Sequence, residues 1–127
     1  MKNVLIPIFF FLTLPLLAQV RADFTYARFF APGQGAYVET YFNVDGQSVA
    51  YDTLPKGYQA RLEATLSFEQ DSAIKDFKKY EILGPVLTNP DSFIADFVDV
   101  QRFMLPDGDY SLNIALRDLN NTTSKGV

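Results

Sequence analysis

The feature of the sequence that most constrains the fold is a long alternation of apolar and polar side chains between Gly57 and Gln70. The apolar parity of this run is Tyr58, Ala60, Leu62, Ala64, Leu66 and Phe68. The residues between them are polar. A period of two directs one set of side chains to the buried face of a β-strand and the other set to water. The run therefore predicts a long antiparallel strand that covers an apolar core.

Shorter β-prone segments, separated by turn sequences rich in Gly, Pro and Asp, lie on both sides of this strand. We expect them to form strands at 23–30, 36–44, 47–52, 93–104 and 110–116. Asp45-Gly46 is a strong signal for a two-residue hairpin, so the strand at 47–52 is expected to pair back onto the strand before it. About seven short strands with turns between them predict an all-β fold, an immunoglobulin-like antiparallel β-sandwich in one domain.

One segment, Ala73 to Leu83, fits two structures. Ile74, Phe77 and Tyr80 are spaced three apart, as on one face of a helix. In a strand, one bulge near Lys78-Lys79 would bring Ile74 onto the same face as Tyr80. The hairpin-spaced neighbours on both sides favour the strand.

The turn before the last strand predicts a structural role for two residues, Gly108 and Tyr110. In immunoglobulin-like sandwiches a tyrosine that follows such a turn donates a hydrogen bond back to the backbone. If Tyr110 has this role, one more edge strand should follow Asp118, but the residues after it are mostly polar turn formers. We therefore expect the sandwich at 23–127 to lack its last edge strand and to belong to a longer polypeptide. An edge left unpaired in this way invites association.

Composition narrows the classes of function. The 127 residues carry a net charge of −4 and include no cysteine and no histidine. Without cysteine there is no disulfide, no thiolate metal site and no cysteine for lipid attachment. Without histidine the commonest general base and metal ligand are missing. An acidic chain also lacks the basic surface that nucleic acids require. We expect no enzyme, no metal, no cofactor and no nucleic-acid partner.

The first segment has the pattern of a secretory signal peptide at 1–22. Lys2 precedes an apolar run from Val4 to Leu17, and Val20 and Ala22 suit positions −3 and −1 of a cleavage site. A cut after Ala18 is the second choice. The run of about 14 residues is shorter than the roughly 20 that cross a bilayer, so no stable membrane span is expected after cleavage.

Acidic residues are the remaining candidates for chemistry. Asp96 and Asp99 lie on an otherwise apolar segment, and a glycosidase would need two such carboxylates facing each other across a cleft. Calcium would need six to eight oxygen ligands. The acidic residues in loops are Asp45, Asp52, Asp91, Asp107 and Asp109. Aspartates in turns usually accept hydrogen bonds from the nearby backbone, so we expect these residues to be structural.

The best candidate for a binding surface is the outward parity of the strand at 36–44, which presents Tyr37, Glu39 and Tyr41. Tyrosines on an exposed sheet face suit contact with a protein or a sugar. The alternative is that a second sheet or a neighbouring domain covers them.

Several phrases of the sequence resemble a known group of proteins. These are Phe29-Phe30-Ala31-Pro32-Gly33-Gln34-Gly35, Tyr37-Val38-Glu39-Thr40-Tyr41, Asp99 to Phe103 and Leu105-Pro106-Asp107-Gly108-Asp109-Tyr110. They resemble the N-terminal β-sandwich region of uncharacterised secreted proteins of Bacteroidetes, including proteins with a downstream GWxTD domain. The GWxTD motif itself is absent here. The resemblance implies a periplasmic or cell-surface location, and it implies O-glycosylation at Thr53 and Ser72, each within a three-residue acceptor motif.

Together these observations predict a secreted or periplasmic β-sandwich module with a non-catalytic binding or structural role in the bacterial envelope. Its partner would be an envelope protein or a glycan. The alternative is an accessory N-terminal domain of a larger envelope hydrolase whose active site lies beyond residue 127.

Overall fold

The computed structural model describes residues 19–89 and 93–121, and these residues form two antiparallel sheets. The strands are β1 (Ala22–Ala31), β2 (Gly35–Val44), β3 (Tyr51–Leu54), β4 (Gly57–Gln70), β5 (Ala73–Leu83), β6 (Phe97–Met104) and β7 (Ser111–Asp118). One turn of 3-10 helix, Gly46–Ser48, lies between β2 and β3. The expected all-β sandwich of about seven strands is confirmed.

The connections between the two sheets follow the immunoglobulin-like pattern. The first sheet has the order β1-β2-β6. In the second sheet β4 is central, with β5 on one side and β7 and β3 on the other. The chain crosses from one sheet to the other after β2, after β5 and again after β6. Within the described residues β7 pairs only with β4, so β7 is an edge strand.

The long alternation in β4 builds the centre of the core, as predicted. Its inward side chains are buried from Ala60 to Phe68, and Leu62 and Leu66 are completely so. They pack against the inward face of the first sheet, including Phe42 and Phe103. Phe68 and Phe103 are in ring contact, with centroids 4.8 Å apart. The period of two therefore fixes both the strand and the side that faces the core.

The expected hairpin at Asp45-Gly46 is wrong. The Asp45 carboxylate accepts a hydrogen bond from the Gln47 backbone N–H at 2.9 Å and caps the 3-10 turn. Val49 then enters the core, and β3 pairs with β4 in the opposite sheet. Gly46 is needed for a close approach, because a Cβ there would lie 2.2 Å from the carbonyl oxygen of Ala95. Burial of Val49 thus carries the chain across the sandwich instead of back along β2.

The strand favoured for Ala73–Leu83 is confirmed, but the predicted position of its bulge is wrong. The register shifts at Phe68/Glu69 of β4, which makes Lys75 the extra residue. Ile74 consequently pairs with Glu69 and faces solvent instead of the core. The irregularity lies close to the hairpin turn, where the two turn residues have positive φ and set the register from that end.

Two other boundaries also differ from expectation. The strand expected at 93–104 begins only at Phe97, and the last strand runs from Ser111 to Asp118. Most of the predicted signal peptide lies outside the described residues. Among the residues that are described, no helix is long and apolar enough to cross a membrane.

Candidate binding surfaces

The corner that leads into β7 is held by Tyr110. Its hydroxyl donates a hydrogen bond to the backbone carbonyl of Pro106 at 2.7 Å. Its ring lies edge-on to Phe68, with centroids 6.5 Å apart. A Cβ on Gly108 would come within 3.5 Å of the Tyr110 ring and within 2.5 Å of the amide nitrogen of Gln70. The small residue therefore lets the turn lie against the tyrosine, and both residues have structural contacts.

The outward side of the first sheet, which we call the outer face, carries apolar and aromatic side chains from all three strands. They are Phe29 on β1, Tyr37 and Tyr41 on β2, and Val98, Val100 and Met104 on β6. Phe29 and the three β6 residues are exposed, and the two tyrosines are half-buried by their neighbours. The second sheet packs on the opposite side, where Phe42 and Val44 are buried. The described part of the chain therefore leaves the outer face uncovered.

A charged group at the middle of the outer face fixes the side chains around it. The Tyr41 hydroxyl donates a hydrogen bond to the Glu39 carboxylate, and the Arg102 guanidinium donates another at 2.7 Å. Arg102 also lies over the Tyr37 ring, 4.7 Å from its centroid. On β1, Phe29 stacks on the Tyr37 ring, with ring centroids 5.3 Å apart. The result is a row of aromatic rings whose positions are set before any partner arrives.

The hydrogen bonds among Glu39, Tyr41 and Arg102 stabilise the usual charge state of each side chain. The hydrogen bond from Tyr41, followed by that from Arg102, lowers the pKa of Glu39. The same bond to Glu39 raises the pKa of Tyr41, and the Glu39 partner raises the pKa of Arg102. At neutral pH Glu39 is therefore a carboxylate and Tyr41 a neutral phenol. This pairing suits recognition and positioning better than proton transfer, because each group is held in its usual charge state.

The two carboxylates considered for catalysis are held by different structural donors. Asp96, which precedes β6, accepts a hydrogen bond from the Gly46 backbone N–H at 3.2 Å. Asp99 points between the sheets and accepts from the Tyr80 hydroxyl at 2.7 Å. Burial, together with this bond, raises the pKa of Tyr80 strongly, so Tyr80 remains a neutral donor. Within the described residues the two aspartates accept hydrogen bonds from different groups and share no hydrogen-bond partner.

Three of the five acidic loop residues are likewise engaged with nearby groups. Asp45 pairs with Arg21 at 2.6 Å, and Asp107 pairs with Arg28. Asp52 accepts a hydrogen bond from the next backbone N–H at 2.9 Å. Asp91 lies outside the described residues. In the part of the chain that is described, acidic side chains do not come together in threes as metal ligands would.

A second surface, which we call the open side, lies between the edges of the two sheets. Two cavities of about 330 and 250 Å³ follow one another along this edge. Their apolar walls come from β1, β2, β4 and β7 and include Phe24, Tyr26, Val38, Leu112, Ile114 and Leu116. Ile114 shares the inward parity of β7 with Leu112 and Leu116. The sequence contained no signal that the facing edge at β1 would remain open.

Comparison of the chain with protein-family models, with curated proteins and with solved structures gives no match. The resemblance to secreted Bacteroidetes proteins therefore remains a prediction. What the two surfaces do must be argued from their own geometry.

Proposed function

We propose that the chain is a secreted, non-catalytic β-sandwich module of the bacterial envelope that binds a partner protein through its outer face. The observation that supports this most is the fixed row of aromatic side chains around the Glu39–Arg102 pair. Interface cores are enriched in Tyr, Phe, Met and Arg relative to the rest of the surface. All four residue types occur together on the outer face, beside two exposed valines.

The geometry of the outer face lowers the cost of binding. Side chains that are already held by stacking and hydrogen bonds lose little rotamer freedom when a partner covers them. A patch of exposed apolar side chains on a sheet is also a common mark of a protein interface. Glu39 and Arg102 satisfy each other, so a partner can cover them without leaving an unpaired buried charge.

The outer face can be tested with paired variants of the exported chain. Immobilised protein would be exposed to a detergent extract of the envelope, and each retained protein would be purified and titrated. Tyr37→Ala and Arg102→Glu are expected to weaken binding by about tenfold or more, as for interface hot spots. Arg61→Glu, which also breaks an exposed ion pair but lies on the second sheet, is the matched control. Equal affinities for all variants would rule out the outer face as the binding surface.

A glycan array measured with the same proteins separates the two kinds of partner. Signals that disappear in Tyr37→Ala and persist in Arg61→Glu would identify a sugar as the partner and would overturn the protein partner proposed here. An array without such signals, together with a purified envelope protein that binds only when the outer face is intact, would support it.

The proposed secretion leads to a prediction of where the signal peptide is cleaved, because the residues just before Asp23 belong to the fold. Val20 is buried in the core cluster. The backbone N–H of Arg21 donates to the Ser48 hydroxyl at 2.9 Å, and its carbonyl accepts from the Asp45 N–H at 2.9 Å. A cut before Asp23 would remove all these contacts. We therefore expect the second predicted site, after Ala18, to be used.

The mass of the exported protein shows directly where cleavage occurs. We expect a chain that begins at Gln19, and a chain that begins at Asp23 would contradict the prediction. Truncation to Asp23 is expected to lower the free energy of unfolding by about 2–4 kcal/mol, from one buried valine and two backbone hydrogen bonds. Truncation to Val20 removes only the exposed Gln19 and serves as the control.

A further inference from the structure

The β1–β2 hairpin continues beyond the point where β6 ends, as a two-stranded ribbon. Its ladder runs on to the pair of Ala31 with Gly35, whereas β6 pairs with β2 only as far as Tyr37 within the described residues. A Cβ on Gly33 or Gly35 would meet no atom within 4 Å, so the turn stands clear of the rest of the described chain. Residues 29–36, which we call the ribbon tip, are therefore an extension of the sheet that only two strands form.

The ribbon tip exposes a phenylalanine on each of its two sides. Phe29 has the outward parity of β1 and is 40% exposed, although it stacks on Tyr37. Phe30 has the other parity and is 73% exposed. A flat protein surface covers only one side of a ribbon, so it would leave one of these rings in water. A fluid surface that the ribbon enters covers both rings at once.

The same segment lacks carboxylates, which resist transfer from water to a bilayer. The chain has 15 aspartate and glutamate residues, but none between Phe24 and Val38. The single charged residue in this interval is Arg28, which lies next to the ribbon tip and pairs with Asp107. The two side chains of this pair are 61% and 77% exposed, so they remain hydrated at the level of lipid headgroups. The charge of the ribbon is therefore compatible with a lipid surface, although the chain as a whole is acidic.

We propose that the ribbon tip inserts into the interfacial layer of a phospholipid bilayer and holds the domain at a membrane surface. Aromatic rings are favoured in that layer. From Arg28 to the turn at Ala31 the ribbon advances about 10 Å, close to the depth that peripheral segments reach. Among the described residues, the edges of the ribbon carry N–H and C=O groups without a strand partner. Because hydrocarbon offers no partner for such groups, the tip stays among the headgroups and does not span the membrane.

Single tryptophan replacements give a direct test, because the chain contains no tryptophan. Phe30→Trp places an environment-sensitive ring at the ribbon tip. Phe93→Trp is the matched control, since Phe93 is 84% exposed and precedes β6, whose first residue pairs with Val44 at the other end of β2. Each exported protein would be mixed with vesicles of equal parts phosphatidylcholine and phosphatidylethanolamine. We expect the vesicles to shift the emission of Phe30→Trp to shorter wavelength, and brominated lipids to quench it, whereas Phe93→Trp stays unchanged.

Flotation with the same vesicles measures the strength of membrane binding. Phe30→Ser is expected to lower the partition coefficient by about tenfold or more, because the insertion of one phenylalanine ring is lost. Phe93→Ser makes the same change at the other exposed ring and should stay within about twofold. Both rings are exposed, so neither change is expected to unfold the domain. Phe30 lies outside the outer face, so Phe30→Ser should retain the affinity for a protein bound there, and the two proposals can fail separately.

Several results would overturn the proposal. They are an unshifted emission of Phe30→Trp at millimolar lipid, equal responses of Phe30→Trp and Phe93→Trp, or equal flotation of Phe30→Ser and the unchanged chain. A purified envelope protein that shifts the emission of Phe30→Trp when vesicles do not would show that a protein cleft, and not a membrane, receives the ribbon tip.

Discussion

Replacing Leu66 with alanine is expected to lower the free energy of unfolding by about 3–5 kcal/mol. Leu66 is 0% exposed and lies in the middle of β4, paired with Lys78 on one side and Ile114 on the other. Because strands on both sides hold β4 in place, the sandwich cannot collapse around the lost methyl groups, and a cavity remains. This loss is a large share of the roughly 5–15 kcal/mol that stabilises a small domain.

Urea unfolding followed by far-ultraviolet circular dichroism measures the effect, and tyrosine fluorescence is a second probe because the chain has no tryptophan. The matched control is Leu83→Ala on β5, the same chemical change at a side chain that is 56% exposed. We expect the control to change stability by about 0.5 kcal/mol. Similar losses in both variants would mean that the alternation in β4 does not define the core.

The parts of the fold that were predictable from the sequence depend on local patterns. The alternation in β4 reports burial residue by residue, so the strand and its inward face were predicted together. The segment Ala73–Leu83 was assigned correctly from its neighbours. Its bulge was placed wrongly because the register of that hairpin is set at the turn, by Asp71 and Ser72 with φ of 52° and 63°. Neither residue type is one that normally signals such a turn as strongly as glycine does.

The crossings between sheets could not be predicted, because they depend on contacts between residues far apart in the sequence. The Asp45-Gly46 signal describes a local preference for a tight turn. What decides the path is the burial of Val49 and the contact of Gly46 with Ala95, which no pattern around residue 45 contains. Gly46 is therefore required for packing against Ala95, although its sequence context is typical of a hairpin turn.

In the candidate surfaces, too, some features follow from local patterns and others depend on contacts between residues far apart in the sequence. Parity alone placed Tyr37, Glu39 and Tyr41 on one outward face, and the structure shows them there. The partner that organises them, Arg102, is 63 residues from Glu39 and reaches it only through the register of β2 with β6. The open side depends on which strands become edges, and this is a property of the assembled sandwich.

Replacing Gly57 with alanine is expected to destabilise the protein by about 4 kcal/mol or more, from backbone strain and a direct clash. Gly57 has a φ of 144°, a region that residues with a side chain rarely adopt. An alanine Cβ would lie 2.1 Å from the carbonyl oxygen of Leu87. That carbonyl accepts the Tyr58 N–H at 2.7 Å, and the Leu87 N–H returns a bond to Tyr58 at 2.8 Å. The clash therefore acts on the contact that holds the segment after β5 against β4.

Gly33→Ala separates strain from clash, because Gly33 also has a positive φ, 80°, but a Cβ there would meet no atom within 4 Å. We expect Gly33→Ala to cost about 1–2 kcal/mol, the strain alone. Denaturant unfolding gives both losses, and hydrogen exchange at Tyr58 and Leu87 shows how the clash is relieved. If the loop moves away, both amides lose protection while the β4–β5 ladder keeps it. If the two glycine variants lose equal stability, the contact with Leu87 contributes nothing, and Gly57 is required only for its backbone conformation.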